Sequence, residues 1–439
     1  MTSFWRIFWL EFTGFVRSKA LSLLIAASVL WMFALPFVMK GDGTVDGGRE
    51  LYVHYSLGGV FALLVVALLA SATGSFARER EAKRLQLTLV RPVRYTLIVL
   101  GKILAHVAAG ALVLAISCGV LAFKTDLWRP CNHVFSPILP TPREEAKAMY
   151  ESYMKNPETP EAVKKTKKEI VLRLLENRAV DRYEAIATNA CASWKFGGLE
   201  GLGGLGGLEG LAVRMRFTNQ YEMRQDVRGT FTFCDYQGVV SNITQAVVTV
   251  PLIRKSSRTN VEMDLSSDQR INGPSDQGWM LSFLNEGTSA LMLRPRKDIN
   301  LLVPADAFGW NLVRAYVVLV AILAFVISLG TFLSAGLGRP VAMFVAFVML
   351  IVSEMSPSVV EQYPDELETK LVDRIGLHIT RFAAEMTRPV SAATPLEALA
   401  KDECVEPTAM LRLAVADLIA IPLLLSLLAA LVLPRKQDY

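Results

Sequence analysis

Residues 54–94 read HYSLGGVFALLVVALLASATGSFAREREAKRLQLTLVRPVR. The first half, 54–75, is a mostly apolar run of about 20 residues, the length a helix needs to cross a hydrocarbon core of roughly 30 Å. The second half turns abruptly to charge, with Arg78, Arg80, Lys83, Arg84, Arg91 and Arg94 set among Glu79 and Glu81. An apolar run ending in a short basic segment is the pattern of a membrane helix and its cytoplasmic loop, because Lys and Arg concentrate in short loops that stay inside.

Outward from this stretch the pattern repeats. Further apolar runs lie at 20–38, 97–123, 310–333, 340–353 (a short one) and 411–433. Together they predict a polytopic α-helical membrane protein with six transmembrane helices. The first run exceeds the 7–15 residues usual for the apolar part of a secretory signal, so an uncleaved span is expected. Arg6, Arg17 and Lys19 precede it, Arg339 separates the fourth and fifth runs, and Arg435 and Lys436 follow the sixth. The loop after the first run has only Lys40 and Arg49, offset by Asp42, Asp46 and Glu50. Six spans then place both termini and the loop 76–96 in the cytoplasm and the long insert 124–309 outside, in a cell's inner (cytoplasmic) membrane.

Composition agrees. Of 439 residues, 52% are hydrophobic and 20% charged, against roughly 45–50% and about 25% for soluble chains. This excludes a simple cytosolic enzyme, a disordered chain and a disulfide-packed mini-protein. The net charge of +5 reports where the loops lie and calls for no nucleic acid. Ahead of the first span, Phe4, Phe8, Phe12 and Phe15 with Trp5, Trp9 and Val16 recur at helical spacing opposite Arg6, Thr13 and Arg17. Residues 1–19 thus read as an amphipathic helix lying along the lipid headgroups; the alternative is an extended start to the first span.

The insert divides into three. Residues 141–187, rich in Glu, Lys and Ala, read as two helices broken near Pro157 and Pro160; 197–211 is a Gly/Leu loop in which GGLEGL occurs twice. From 212 to 304 the period becomes two. Short strands at 212–218, 229–234, 246–252, 261–265, 279–284, 289–293 and 300–303 predict an antiparallel β-sandwich or jelly-roll-like domain, with a hairpin turn at 285–288. A second outer segment, 355–410, is partly helical and broken by prolines. Cys131, Cys191, Cys234 and Cys404 fall outside, where three pairings are open to them.

Motifs of chemistry are absent from the sequence. His54, His106, His133 and His378 are scattered, with neither HExxH nor CxxC. Gly101-Lys102 is no phosphate loop: residue 96 is Thr where that motif needs Gly, and neither Ser nor Thr follows the lysine. No enzyme activity, cofactor or metal is expected of this chain. The polar residues near spans are Lys102 and His106, where the lysine is expected to snorkel to the headgroups, Arg314, Arg412, and Asp417, the candidate for an intramembrane functional role.

In the loop 76–96, Glu79 and Lys83 are four apart and able to pair on a helix, Leu85, Leu89 and Val90 form an apolar strip, and Pro92 ends it. Such a segment either anchors on anionic lipid or offers a surface to a cytosolic partner. The run E-R-E-x-x-x-L-x-L-x-L-V-R-P-V-R, with L-G-K at the next span, resembles the signature loop of ABC-2 type transporter permeases, although Lys83-Arg84-Leu85 stands where that family usually has Gly-Thr-Leu. Residues 307–315, AFGWNLVRA, and the spans that follow are similar to permeases with a large extracytoplasmic insert, including those associated with multicopper-enzyme maturation, and Leu433-Pro434-Arg435-Lys436 resembles their basic tail.

The resemblance implies a transmembrane subunit that pairs with a second permease subunit and is driven by a separate ATPase subunit holding ATP and Mg. It implies docking through Arg78, Glu79, Arg80, Glu81, Arg84, Leu85, Arg91 and Pro92, with Gly101, Lys102, Asn311 and Arg314 at the starts of spans. Its competitors are an anchor presenting an outer β domain for sensing or binding, and a membrane-embedded enzyme, which lacks a catalytic constellation.

Overall fold

The computed structural model describes residues 2–39, 45–81, 94–157, 166, 168–180, 182–197, 212–218, 225–235, 244–252, 258–264, 279–287, 290–362 and 395–433. The chain forms two compact units, one of residues 1–131 and 306–439 and one of 132–305.

The first unit is helical. Helix α1 (Thr2–Arg17) is followed by α2 (Ala20–Val38), α3 (Val45–Thr73), α4 (Ser75–Glu81) and α5 (Tyr95–Lys124). Among the described residues, five helical stretches are long and apolar enough to cross a membrane: Ala20–Val38, Gly47–Glu79, Tyr95–Lys124, Phe308–Gly336 and Met410–Val432. The run expected at 340–353 falls on a sixth helix, Arg339–Gln362, whose described apolar part, Arg339–Ile351, is shorter. The last stretch is composite: helix Pro407–Leu413, a π-helical segment Ala414–Ala420 and helix Ile421–Val432.

Residues 1–19 are not a simple extension of the first span. Ser18 and Lys19 form a turn in which Lys19 takes a left-handed φ of 57°, so α1 and α2 are separate helices. The aromatic stripe of α1 divides in two. Phe8, Phe12 and Phe15 turn inward against the helical core, while Trp5 and Trp9 stay more than half exposed.

The helix Phe308–Gly336 is the hub. It packs on α3, α5 and the last span, and 78% of its most apolar stretch is buried, against 22% for α2 and 28% for the last span. Two of its buried hydroxyls fold back on its own turns: Ser328 donates to the Ala324 carbonyl at 2.6 Å and Thr331 to Ile327 at 2.8 Å. Folding a side-chain hydroxyl back on the preceding turn is how such groups avoid an unpaired state in an apolar setting.

The second unit holds two antiparallel sheets. One runs β1 (Pro130–Phe135), β10 (Ile299–Ala307), β4 (Ala212–Thr218), β9 (Leu291–Leu293), β2 (Glu184–Ile186), with β7 (Arg258–Asp264) also on β4; the other runs β3 (Cys191–Phe196), β8 (Trp279–Asn285), β5 (Gln225–Asp235), β6 (Thr244–Leu252). Their apolar sides meet in one core, where Phe283 lies 5.5 Å from Phe217 of the first sheet. β8 shows the alternation that makes this work, with Trp279, Leu281 and Phe283 buried and the residues between them half-buried. The two expected helices form at Pro142–Lys155 and Lys168–Val180, the first with a Thr141/Glu144 capping box.

Two expectations are corrected here. Residues 184–186, placed in the helical part, are the strand β2, paired with Leu291–Leu293. The strands on either side of the expected hairpin turn do not pair, because β8 and β9 belong to different sheets. The buried Asn285 redirects the chain: its side chain donates to Ile186 and Ala187 carbonyls at 3.0 and 3.3 Å and accepts from the Gly287 N–H at 3.0 Å. The Gly/Leu stretch 198–211 lies outside the described residues.

Candidate functional site at the Glu11–Lys102–Glu79 junction

The charged segment after the second apolar run leaves the helical unit through α4, and α4 is fixed by what its first turns bury. Phe76 and Ala77 face the core, while Arg78 points outward and returns hydrogen bonds to the Gly74 and Ser71 carbonyls. Glu79 comes next, and its carboxylate turns inward.

There it meets Lys102. The expectation that this lysine snorkels to the surface is overturned, for Lys102 is 2% exposed. Its Nζ donates to Glu79 Oε1 at 2.7 Å and to Glu11 Oε1 at 2.5 Å. The ammonium also lies over the Phe76 ring, 5.0 Å from its centroid. An ammonium withdrawn from water needs close opposite charge and filled hydrogen bonds to persist, and carboxylates from two different helices supply both. Burial pushes the Glu11 carboxyl up; Lys102, with smaller contributions from His106 and Arg78, outweighs it and holds the group below its ordinary value. The expected Glu79–Lys83 pair is therefore not what engages Glu79 Oε1, and Lys83 lies outside the described residues.

Gly101 makes the junction sterically feasible. A Cβ on Gly101 would lie 3.0 Å from Ile7 Cγ2, so any side chain there presses on α1 where α1 passes α5 beside Lys102. One turn on, His106 Nδ1 lies 2.8 Å from the Lys102 carbonyl. A carbonyl only accepts, so Nδ1 carries a hydrogen and donates it there. Nε2 and Glu79 Oε2 are both buried without a hydrogen-bond partner among the described residues. A cavity of about 360 Å³ adjoins them, lined by Glu11, Phe15, Ser75, Arg78, Glu79 and His106 among others.

The remaining expected residues separate. Arg80 and Glu81 belong to α4, but Arg84, Leu85, Arg91 and Pro92 lie outside the described residues. Asn311 and Arg314 sit near the start of the hub helix, away from the junction in sequence and in their partners. Asn311 is fully buried and clips an extended segment: its Nδ2 donates to the Glu403 carbonyl at 2.7 Å, and the Val405 N–H donates to its Oδ1 at 2.8 Å. Arg314 pairs with Asp306 at 2.6 Å. Beside Asn311's segment, Asp402 receives both Arg49 and Arg129, the latter at 3.3 Å. Asp417 stands alone in the π-helical segment, fully buried, with neither carboxylate oxygen hydrogen-bonded among the described residues.

Glu11 and the Arg49–Asp402–Arg129 cluster were not singled out by sequence. Glu11 does carry a signal: it is the sole acidic residue before Asp42, on a helix rich in aromatics whose other charges are cationic. Among the described residues no group of three or more His, Cys, Asp or Glu could hold a metal ion. Two carboxylates on one ammonium form a charge tie among α1, α4 and α5.

No protein-family model, curated protein or solved structure matches the chain. Five helices long and apolar enough to cross a membrane define its class, a helical membrane protein, here with an antiparallel β-rich unit in addition.

Proposed function

We propose that the chain is the membrane-spanning permease subunit of an ABC transporter, in which a separate ATPase subunit supplies ATP hydrolysis and a second permease subunit completes the path for an exported substrate. In this reading Arg339–Gln362 is the fifth of six spans, both termini face the cytoplasm, and the two sheets form an extracytoplasmic β-sandwich of jelly-roll type. The observation that carries it is the Glu11–Lys102–Glu79 tie. Work delivered to a membrane protein from outside must enter through a stiff element and shift an equilibrium between two arrangements. The charged segment that begins at Arg78 starts at a point where α1, α4 and α5 are cross-linked by charge, so a push on it reaches those three helices together.

Docking then falls to Arg80, Glu81, Arg84, Leu85, Arg91 and Pro92, with Arg78 beside them. Glu79, drawn inward to Lys102, positions the segment. The test is affinity purification of the tagged chain from its native membrane, compared with a variant reversing Arg80, Glu81 and Arg84. Recovery of a P-loop ATPase with the parent and its loss with the variant supports the reading. A chain that never brings an ATPase with it, and tolerates scrambling of the loop at constant charge, is an anchor for the β-rich unit instead.

A further inference from the structure

The three pairings open to the four outer cysteines are not equivalent. Cys191 and Cys234 flank β8 from opposite sides, Cys191 in register with Leu284 and Cys234 with Met280. Two strand spacings across and four residues along separate them by about 16 Å, whereas bridged cysteines keep their Cα atoms within about 7 Å.

Cys131 and Cys404 are in contact. The segments that carry them are held together two residues upstream, where Arg129 Nε meets Asp402 Oδ2 at 3.3 Å. Asn311 grips Glu403 and Val405 on either side of Cys404, and the Phe308 N–H donates to the Arg129 carbonyl at 2.8 Å. Within this frame the two thiols hydrogen-bond to each other, and the Asp306 backbone hydrogen-bonds to both. Their mutual hydrogen bond holds the Cys131 thiol below its ordinary value and pushes Cys404 up, so Cys404 is the donor and Cys131 the more acidic sulfur. Cys131 is buried and Cys404 partly exposed.

We propose that Cys131 and Cys404 are joined by a disulfide in the mature protein, made by exchange with a disulfide donor of an oxidising outer compartment. The inference rests on the proposed orientation, which puts both residues outside. Cys404, the accessible sulfur, attacks the donor disulfide and expels one donor thiol, which takes up the Cys404 proton. Cys131 then attacks the Cys404 sulfur of the mixed disulfide and expels the second donor thiol with its own proton. Two protein thiols are oxidised and one donor disulfide is reduced to two thiols. The bond ties the chain leaving α5 to the chain approaching the last span, so the outer ends of those spans stay together and relative movement is left to their inner ends.

The test is peptide mapping of the full-length chain, alkylated under denaturing conditions without reductant directly from its native membrane. The expected result is a Cys131–Cys404 linked peptide that disappears on reduction, with Cys191 and Cys234 alkylated. In parallel, a membrane-impermeant maleimide is applied to intact cells or spheroplasts to label the exposed Cys191. Cys191 labelled while Cys131 and Cys404 are both alkylated overturns the disulfide and leaves the orientation standing. Cys191 unlabelled, with no linked peptide, overturns the orientation and the disulfide with it. A Cys131→Ser variant gives a second measure: Cys404 should become alkylable before reduction, and a Cys404 equally alkylable in the parent counts against the bond.

Discussion

Lys102 on α5 reaches Glu79 on α4 at 2.7 Å across 23 positions of sequence, and the same ammonium holds Glu11 of α1. The side chain is almost wholly buried, so its loss leaves two carboxylates facing each other without their counter-charge. Breaking a buried pair from one side costs about 3–5 kcal/mol, whereas replacing all members by apolar or neutral groups is far less damaging. Lys102→Met should lower the thermal unfolding midpoint in detergent sharply, and Glu11→Gln/Glu79→Gln/Lys102→Met should recover most of it. An unchanged midpoint in the single variant would refute the tie.

Gly101 supplies the crossing point of α1 over α5. Gly101→Leu puts a branched side chain where Ile7 Cγ2 already stands 3.0 Å from the Cβ position. The expected result is release of α1 with the spans intact, read as faster proteolysis after Arg6 and Arg17 without loss of helical circular dichroism.

Asn311 satisfies one backbone carbonyl and one backbone N–H in a buried setting. Each hydrogen bond contributes about 0.5–1.5 kcal/mol, and the groups left unpaired cost more. Asn311→Leu should destabilise the helical unit by about 2–4 kcal/mol on that basis. Denaturant unfolding followed by tryptophan fluorescence measures it, and a shift below experimental error excludes the clip.

In the β-rich unit, Glu145 receives Arg182 at 2.8 Å and Arg296 at 2.9 Å. Burial pushes its carboxyl up, but the two guanidinium groups outweigh this and hold it below its ordinary value. A depressed carboxylate stabilises the fold fully above its unfolded value, near 4.5, and that contribution is lost as pH falls through the lower folded value. Hydrogen exchange in Pro142–Lys155 should therefore accelerate below about pH 4.5, and Glu145→Gln should remove the dependence while exchanging faster at neutral pH.

Asp417 is a carboxyl group in an apolar helical segment, with no hydrogen-bond partner among the described residues. Burying such a group carries a penalty that an isosteric apolar residue removes, and groups kept at that penalty inside spans are commonly functional. Asp417→Leu should raise the unfolding midpoint and, under the proposed permease function, reduce the activity of the transporter it would form. A stabilised variant with full activity assigns the residue no part in transport.

The apolar runs were legible because a span must be continuous: 20–38 in the sequence is Ala20–Val38 in the structure. The strands from 212 onward were legible from alternation, as in Trp279–Asn285. What sequence did not show is whatever depends on a distant partner. Lys102 near a span end reads as a snorkelling cation until Glu11 is brought to it by a helix that Gly101 admits. Asn285-Glu286-Gly287-Thr288 has the composition of a hairpin, but its asparagine is spent on the carbonyls of Ile186 and Ala187, residues about a hundred positions away. The strands Pro130–Phe135 and Cys191–Phe196 carry no turn signals regular enough to mark them.

The hub helix Phe308–Gly336 is enclosed on nearly all sides. A helix with one protected face tolerates change every third or fourth residue, where it looks outward. This one has little outward side from Val318 to Thr331. Saturation mutagenesis across it should return an almost unbroken band of intolerance without helical rhythm, the inverse of the periodic tolerance expected along Ala20–Val38.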